Sequence, residues 1–492
     1  MTGNVWVVLP LACLAAGAFG VYLVARFATR HNGLLAALTA VAFGAALAAL
    51  AVLHPMVTPS DRPTWGPAAP GAAFLRADPG ALTIAGVALG LGLLVAVYSG
   101  RYLALDRRYE TYYPLLLLLV TGSVGMLLAA DLFNLYMFCE LMSAAAYVLV
   151  AFRRHTSTAI EAGFKYLVMG GAGAVIILMG ISLVYRETGS TALPQTIRAP
   201  GPWARAGVAC LLVGLGLKSA IVPLHTWLPD AHGRAPGSIS AMLSGVVVQS
   251  TFYTLLKVCL GLGFPARSLG GLLIVLSMSN MVLGNGLALV QTNTKRLLAY
   301  STIAQMGTVM FSIGVGLHYG TLSAIQAGFF LILTQATTKG LAFLCKGACH
   351  FYRDATTIDE LRGTATHMPL IGVAFSVALA GLAGVPPLAG FASKWFVLRS
   401  ALRSPGALGI AGLIVFLLSS LLALGYYLPL IGTLFARQVP EDDRPNETTA
   451  VSPWMALPIT LLGGLVLAIG LYPGPWLDWT ADAGACLLDA VP

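Results

Sequence analysis

The sequence predicts an all-α integral membrane protein with about fourteen transmembrane helices. Hydrophobic residues make up 58% of its 492 residues, charged residues only 10%, and the mean hydropathy is +0.83. A water-soluble core of this size cannot hide so much apolar surface, so lipid must act as the solvent. The apolar residues also form separate runs of about 20 residues, the length at which a helix crosses a bilayer. Breaks that contain Gly, Pro or Arg separate these runs.

Fourteen apolar runs are candidate spans, and we expect one polytopic membrane domain, 1–492, without a soluble domain. The first run resembles a signal peptide, but no basic segment precedes it and a second run follows directly. We therefore expect it to be retained as the first helix. The runs cover residues 4–24, 33–53, 80–100, 112–130, 132–152, 163–185, 206–223, 238–261, 269–290, 298–317, 322–345, 369–391, 407–435 and 454–472.

The distribution of basic residues predicts the orientation in the membrane. Alternating the connections places two sets of basic residues on opposite sides, and the larger set is expected to be cytoplasmic. Both termini would then lie outside, in a bacterial or archaeal inner membrane. The isoelectric point of about 9.2 therefore reflects topology, and we expect no nucleic-acid partner. The larger set is Arg26, Arg30, Arg101, Arg107, Arg108, Arg153, Arg154, Arg234, Lys295, Arg296, Arg353, Arg362, Arg437 and Arg444; the smaller is Arg62, Arg76, Arg186, Arg198, Arg205, Arg267, Arg399 and Arg403.

Proline interrupts two of the predicted spans. The first break, KSAIVPLHTWLPDAH (218–232), contains Pro223, and the second, GVPPLAGFASK (384–394), contains Pro386 and Pro387. Inside a bilayer, a broken helix is tolerated where it is buried in protein or lines a water-filled cavity, and paired breaks indicate an ion path. The breaks lie near the ends of two five-helix stretches, 112–261 and 269–435. The residues alone do not establish that these stretches are inverted repeats.

Five ionisable side chains fall inside apolar runs. A lysine at the centre of a span costs about 2.5–3.5 kcal/mol on insertion scales, so such residues need a function or a partner. A single buried lysine is as readily explained by a structural bond to a carbonyl or carboxylate. The set as a whole, beside two broken helices, favours ion transport. Its members are Glu140, Lys218, Lys257, Lys339 and Lys394.

Polar side chains recur at helical spacing on three of the runs and would face the interior of a helix bundle. Hydroxyls, amides and the waters they hold can relay protons between lysines. We also place His225 and His232, which flank the first break, in this supporting path. The stripes are Ser250, Thr254 and Lys257; Ser301, Gln305, Thr308 and Ser312; and Gln335, Lys339, Lys346 and His350.

A carboxylate beside a buried lysine provides a switch for proton transfer. Burial lowers the pKa of a lysine by several units, and a nearby carboxylate raises it again. At about 4 Å and an effective dielectric constant near 20, an ion pair contributes roughly 4 kcal/mol, or about three pK units. A change in the distance between Glu140 and Lys218 would therefore make the lysine hold or release its proton.

Other chemistries find little support in the residues. His225 and His232 lack a nearby Cys or carboxylate cluster, so we expect no metal site. We find no phosphate loop, dinucleotide fingerprint, iron–sulfur cysteine pattern or nucleophile triad, and therefore expect no cofactor and no catalytic residue in this chain. It would be part of an enzyme only as a subunit of a proton-translocating oxidoreductase.

Five segments resemble the antiporter-like subunits shared by respiratory complex I, membrane-bound hydrogenases and Mrp-type Na⁺/H⁺ antiporters. These are DLFNLYMFCELM (131–142), KSAIVPLHTWLPDAHGRAPGSISAML (218–243), NTKRLLAYSTIAQMG (293–307), TTKGLAFLCKG (337–347) and LAGVPPLAGFASKW (382–395). The resemblance implies a fourteen-helix fold with two inverted five-helix repeats and partner subunits in the same membrane. It also implies that Glu140, Lys218, Lys257, Lys339 and Lys394 are the family's glutamate of helix 5 and lysines of helices 7, 8, 11 and 12.

Departures from the family pattern help to predict which type of subunit this chain is. Gln335 and Leu331 stand where some members carry histidines, and Lys394 stands where the middle complex I subunit carries glutamate. Chain length and this pattern are most similar to the D-type Mrp subunit, so we expect a proton- or cation-translocating subunit of a larger complex, which moves protons or exchanges them for sodium. Alternatives are a proton-pumping subunit of a complex I-like oxidoreductase or hydrogenase, a proton-driven partner in inorganic-carbon uptake, and a non-conducting scaffold.

Overall fold

Helices account for nearly all the ordered secondary structure. The computed structural model describes residues 2–28, 31–66, 73–104, 106, 108–154, 156–193, 201–404, 406–436 and 450–489. The sequence-based topology also used Arg30, Arg107, Arg198, Arg437 and Arg444, which lie outside these residues. The helices are α1 (Leu9–Phe27), α2 (Asn32–Met56), α3 (Pro79–Tyr102), α4 (Tyr109–Leu128), α5 (Leu132–Val150), α6 (Ser157–Thr188), α7 (Pro202–Lys218), α8 (Trp227–Arg234), α9 (Gly237–Gly261), α10 (Ala266–Leu289), α11 (Thr294–Tyr319), α12 (Leu322–Arg353), α13 (Thr364–His367), α14 (Pro369–Ala383), α15 (Ala389–Leu402), α16 (Ala407–Phe435), α17 (Pro453–Leu471) and α18 (Gly474–Asp489).

The predicted fold class is confirmed. Within the described residues, twelve continuous helices are long and apolar enough to cross a membrane. The other two predicted spans are the interrupted helices, in which α7 is followed by α8 and α14 by α15. Each predicted run therefore corresponds to one continuous or interrupted helix, and both breaks occur where proline predicts them.

Two features were not predicted from the sequence. Helix α18 follows the last apolar run and packs against α3 and α12, with Gln326 Nε2 donating to the Leu477 carbonyl at 2.9 Å. Three short antiparallel strands, β1 (Thr2–Gly3), β2 (Thr64–Gly66) and β3 (Leu75–Arg76), join the N-terminus to the α2–α3 connection. Strands of two or three residues carry too little alternation for a sequence pattern to detect.

The most polar spans form the centre of the bundle. The membrane-spanning parts of α9 and α12 are buried throughout and that of α11 almost throughout, whereas only about a third of the residues are buried in those of α1, α16 and α17. Close helix packing depends on small residues: a Cβ added at Gly307 of α11 would lie 2.8 Å from the Ser277 carbonyl of α10. Small residues at such contacts are typical of membrane helices. The polar stripes therefore face other helices and not lipid.

Candidate functional site

Side chains hydrogen-bond to the free backbone groups of the first helix break. Helix α7 ends at Lys218, and Ala220 adopts a left-handed conformation with φ of +54°. Trp227 Nε1 donates to the Leu217 carbonyl at 2.8 Å, and the Val222 N–H donates to Asn280 Oδ1 at 2.8 Å. Backbone groups freed by the break therefore find partners inside the protein, as a bilayer requires.

The predicted pair of Glu140 and Lys218 lies at this break. Lys218 Nζ is 3.0 Å from Glu140 Oε1 and donates to Ser143 Oγ at 2.6 Å. Lys218 is buried, whereas 31% of the Glu140 side chain is exposed. The carboxylate therefore connects the buried lysine with the outer surface of the chain.

The second break holds Lys394. Helix α14 ends before Gly384, whose φ of +91° is accessible to glycine with little strain. Lys394 Nζ donates to the carbonyls of Leu382 at 3.1 Å and Ala383 at 3.0 Å. A cation is stabilised there because the last carbonyls of a helix carry partial negative charge. Among the described residues, no carboxylate lies within 4.0 Å of Lys394.

A hydrogen-bonded string leads from the middle of α12 to the second break. Gln335 Nε2 donates to Gln305 Oε1 at 2.6 Å, and Gln305 Nε2 donates to the Leu382 carbonyl at 3.2 Å. That carbonyl also accepts from Lys394. Lys339, one turn from Gln335, donates to the Leu298 carbonyl at 2.9 Å.

Ser301 extends the contacts of Lys339. Its hydroxyl accepts from Lys339 and is hydrogen-bonded to the Tyr427 hydroxyl. Thr308, also predicted for this path, is buried on α11 one turn from Gln305. The polar stripes of α11 and α12 thus contact each other at Lys339 and Gln335.

His232 fills the interval between Lys339 and Lys346, which are two turns apart on α12. Its ring stacks on Phe343, with centroids 4.8 Å apart and planes 6° apart, and Phe343 lies between the two lysines in the sequence. His232 is fully buried, and neither ring nitrogen has a hydrogen-bond partner among the described residues. His225 is only half-buried and lies in the loop of the first break.

A polar cavity of about 660 Å³, here called the vestibule, opens where five connections meet. Its lining includes Lys295, Lys346 and His350. Lys346 is buried and donates to the Ala355 carbonyl, and Lys295 Nζ donates to the Ala235 carbonyl at 2.8 Å. Lys295 was predicted to be an ordinary loop residue, and its burial was not predicted. Arg153 and Arg234 also line this cavity, which places it on the face with the larger basic set.

The loop after α12 forms one wall of the vestibule. The backbone N–H groups of Thr356, at 2.5 Å, and Thr357, at 2.9 Å, donate to Glu360 and lower the pKa of its carboxyl to about 2. Because the pKa of Glu360 is lowered in the folded state, its hydrogen bonds stabilise the folded protein fully above about pH 4.5. This stabilisation is lost as the pH falls towards 2. Thr356 lines the vestibule, so its wall is fixed at neutral pH.

Lys257 does not lie at mid-span, contrary to expectation. It precedes the end of α9 by one turn, 3.5 Å from Asp78 Oδ2, and donates to the Leu127 carbonyl at 2.8 Å. Asp78 is the N-cap of α3 and also accepts from the Tyr253 hydroxyl. Asp78 was not predicted as a site residue, although an aspartate directly before Pro79 is typical of a helix start.

Other polar groups occupy the middle of α9. Gln249 lies midway between Gly237 and Gly261, and its Oε1 has no hydrogen-bond partner among the described residues. The Ser250 hydroxyl is also buried without one, and Thr254 Oγ1 donates to the Ser250 carbonyl at 2.9 Å. Buried polar atoms without protein partners are the usual positions of internal water.

Neither histidine of the first break belongs to a metal-ligand cluster. In the part of the chain that the structure describes, no group of three or more His, Cys, Asp or Glu side chains is arranged to hold a metal ion. The candidate site residues described above are lysines, one partly exposed carboxylate (Glu140), one buried carboxylate (Asp78) and neutral polar groups.

The family model for the membrane subunits described as NADH:quinone oxidoreductase/Mrp antiporter matches residues 129–422, well over half of the chain. The chain belongs to this family. The matched region includes both helix breaks and all five predicted ionisable residues.

Relatives in the family distinguish between the predicted functions. The chain is 31% identical over 486 residues to NADH-quinone oxidoreductase subunit N of Desulforudis audaxviator, covering 95% of each chain. It is 30% identical over 417 residues to F(420)H(2) dehydrogenase subunit N of Methanosarcina mazei, covering 82% of this chain and 83% of the relative. These relatives favour the complex I-like alternative over the D-type Mrp subunit that the sequence analysis preferred.

Solved structures of the family share the fold. A chain of respiratory complex I from Thermus thermophilus superposes with a TM-score of 0.77 at 28% identity, covering 95% of this chain and 98% of that one. A chain of the Mrp complex from Dietzia sp. superposes with a TM-score of 0.88 at 23% identity, covering 99% and 98%. The second likeness, at that identity, shows the fold alone. The chain is therefore an antiporter-like, multi-pass membrane subunit.

Proposed function

We propose that this chain is the proton-translocating N-type subunit of a complex I-like oxidoreductase in a bacterial or archaeal inner membrane. Its relatives named subunit N support the type of complex, and the redox centres would lie on other chains. The observation that carries the proposal is the line of buried polar groups from the vestibule, through Lys346, His232 and Lys339, to Lys394 at the second break. Such a line has no use in a scaffold.

The path starts at the vestibule. Protons reach His350 and Lys346 there, pass His232 to Lys339, and follow Gln335 and Gln305 to Lys394. Ser301 and Thr308 support this part of the path. Consecutive groups along the path are hydrogen-bonded, donate to the same carbonyl, or lie one or two turns apart on α12. The longest interval, about 10 Å between Lys339 and Lys346, is the one that His232 occupies. Lysine suits this role because burial makes its proton easy to release.

The other half of the path is built around Lys218. Glu140 holds the proton on Lys218, and Gln249, Ser250 and Thr254 with internal water connect the middle of α9 to Lys257. His225 borders the Lys218 loop. We propose that 112–261 and 269–435 form two inverted repeats, each with one break, and that both termini lie outside.

Neighbouring subunits cover both breaks in this proposal. Pro223, Pro386 and Pro387 are exposed in the isolated chain, and Glu140 is partly exposed beside the first break. Irregular backbone and a carboxylate cannot face lipid hydrocarbon without a large cost. Other membrane proteins of the complex would therefore contact both surfaces.

Purification of the intact complex tests the type of complex. The chain, tagged at its genomic locus, is isolated in mild detergent, and the co-purifying chains are identified by mass spectrometry. We expect subunits with redox cofactors and quinone reduction by the isolated complex. Isolation with small membrane subunits alone, together with sodium-dependent proton exchange, would instead support the Mrp antiporter.

Replacing His232 by phenylalanine tests the middle of the path. The variant keeps the stacking on Phe343 but removes the ring nitrogens, so we expect an assembled complex whose proton translocation falls at least about tenfold. The matched control is His54→Phe, at an exposed histidine at the end of α2. Dye-monitored proton uptake into inverted vesicles measures both. Equal uptake by His232→Phe and wild type would remove His232 from the path.

A further inference from the structure

A groove on the outside of the bundle lies apart from the proposed proton path. It has a volume of about 600 Å³ and is bounded by α1, α4 and the end of α5. Its walls below the mouth are apolar, and alanines such as Ala15 and Ala18 form part of its lining. Phe19 and Val148 at its edges are 65% and 53% exposed. The groove therefore opens to the hydrocarbon of the membrane.

The groove has a defined depth in the bilayer. Tyr22 near the end of α1, Thr111 in the first turn of α4 and Phe152 just after α5 mark its mouth. From Thr111 to Leu118 the lining descends two helical turns, about 10 Å. One end thus lies at headgroup level, and the other lies among the acyl chains.

Two cations, Arg108 and Arg154, lie in the lining at the mouth, and among the described residues no acidic side chain lines the groove. Both arginines are exposed, and in the described chain neither has a carboxylate within 4.0 Å. Arg153, the neighbour of Arg154, is instead paired with Asp106 at 3.0 Å and lies outside the groove. The arginines of the mouth therefore remain available to an anion.

We infer that the groove binds one anionic phospholipid, with its phosphate between Arg108 and Arg154 and its acyl chains along α1 and α4. Basic pockets between membrane helices on the face with excess positive charge suit acidic headgroups, and arginine binds phosphate oxygens through paired N–H donors. The Thr111 hydroxyl at the mouth adds a further polar group for the headgroup. If a helix of a neighbouring subunit filled the groove instead, it would bury both arginines. This chain has no described carboxylate within 4.0 Å to neutralise them there.

Lipid retention by the intact complex tests the inference. The complex is delipidated in mild detergent, incubated with dioleoyl phosphatidylglycerol or dioleoyl phosphatidylcholine, and analysed by native mass spectrometry. We expect one more phosphatidylglycerol than phosphatidylcholine to be retained. Retention should weaken roughly thirtyfold in Arg108→Gln/Arg154→Gln, because each basic residue near the surface contributes about 1 kcal/mol. The matched control is Arg101→Gln/Arg362→Gln, at exposed arginines of the same face outside the groove.

A second variant tests the groove itself. Ala15→Trp fills the groove from the lipid side and leaves both arginines in place, so the bound phosphatidylglycerol should be lost while the complex stays assembled. Unchanged phosphatidylglycerol retention in either variant would overturn the inference. Loss of a protein subunit from Ala15→Trp, with unchanged lipid retention, would assign the groove to a neighbouring helix instead.

Discussion

Replacing Lys218 by arginine is expected to reduce proton translocation at least about a hundredfold while the complex still assembles. Arginine retains the positive charge that pairs with Glu140 and can still donate to Ser143, so the structural contact is largely preserved. It is not deprotonated in proteins, however, and therefore cannot pass a proton on. Dye-monitored proton uptake into inverted vesicles, together with electron transfer by the same vesicles, measures the effect.

The comparison with two other variants makes the result specific. Lys218→Met removes both the charge and the proton and should be equally inactive. Lys165→Arg changes an exposed lysine on α6 that pairs with Glu161 at 2.6 Å, and it should behave as wild type. If Lys218→Arg translocates normally and Lys218→Met does not, the lysine serves only as a fixed positive charge.

Breaking the buried pair of Asp78 and Lys257 is expected to lower the free energy of unfolding by about 3–5 kcal/mol. Lys257→Met leaves the carboxylate of Asp78 without its countercharge, and Asp78→Asn does the same to the lysine. Asparagine keeps an oxygen that can cap Ala81 and accept from Tyr253, so the loss measures the ion pair. The measurement is thermal unfolding of the purified complex, followed through the loss of helical structure on heating.

The double variant Asp78→Asn/Lys257→Met separates stability from transport. With both charges removed, no unpaired buried ion remains, and stability should recover most of the loss. Proton translocation should remain low, because that end of the proposed path then lacks a titratable group. Normal translocation by the double variant would make the pair a purely structural contact between α3 and α9.

Much of the fold follows from the sequence because lipid constrains the backbone so strongly. Each span needs about 20 apolar residues, so hydropathy alone locates the helices. Pro223 and Pro386 also mark the breaks directly, since proline removes a helical hydrogen bond. Helix α18 was missed because its polar residues, such as Asp478 and Asp482, keep it below the hydropathy of a span.

The candidate site was only partly predictable, because pairing depends on contacts that are distant in sequence. The contact between Lys218 and Glu140 was predicted correctly, because a carboxylate was expected beside a buried lysine that holds and releases a proton. The partner of Lys257 was not predictable from periodicity, since Asp78 lies far away in the sequence and outside the polar stripes. The position of Lys257 one turn from the end of its helix could have been read from the sequence, since the predicted run 238–261 ends with α9 at Gly261.

The burial of Lys295 depends on the tertiary fold in the same way. The position of Lys295 beside Arg296, after a polar turn, is typical of an exposed loop. In the structure, however, Lys295 is buried, donates to the Ala235 carbonyl and lines the vestibule. Arg296 in contrast remains partly exposed and pairs with Asp230 at 3.0 Å. Adjacent residues of one charge thus have different environments that composition does not distinguish.

Proton transport by the purified complex in liposomes tests the central claim most directly. Quinone reduction is started in sodium-free buffer, and the protons moved are counted against the electrons transferred. We expect proton movement that depends on electron transfer and is unchanged when sodium is added. Proton movement that requires a sodium gradient and proceeds without electron transfer would contradict the claim.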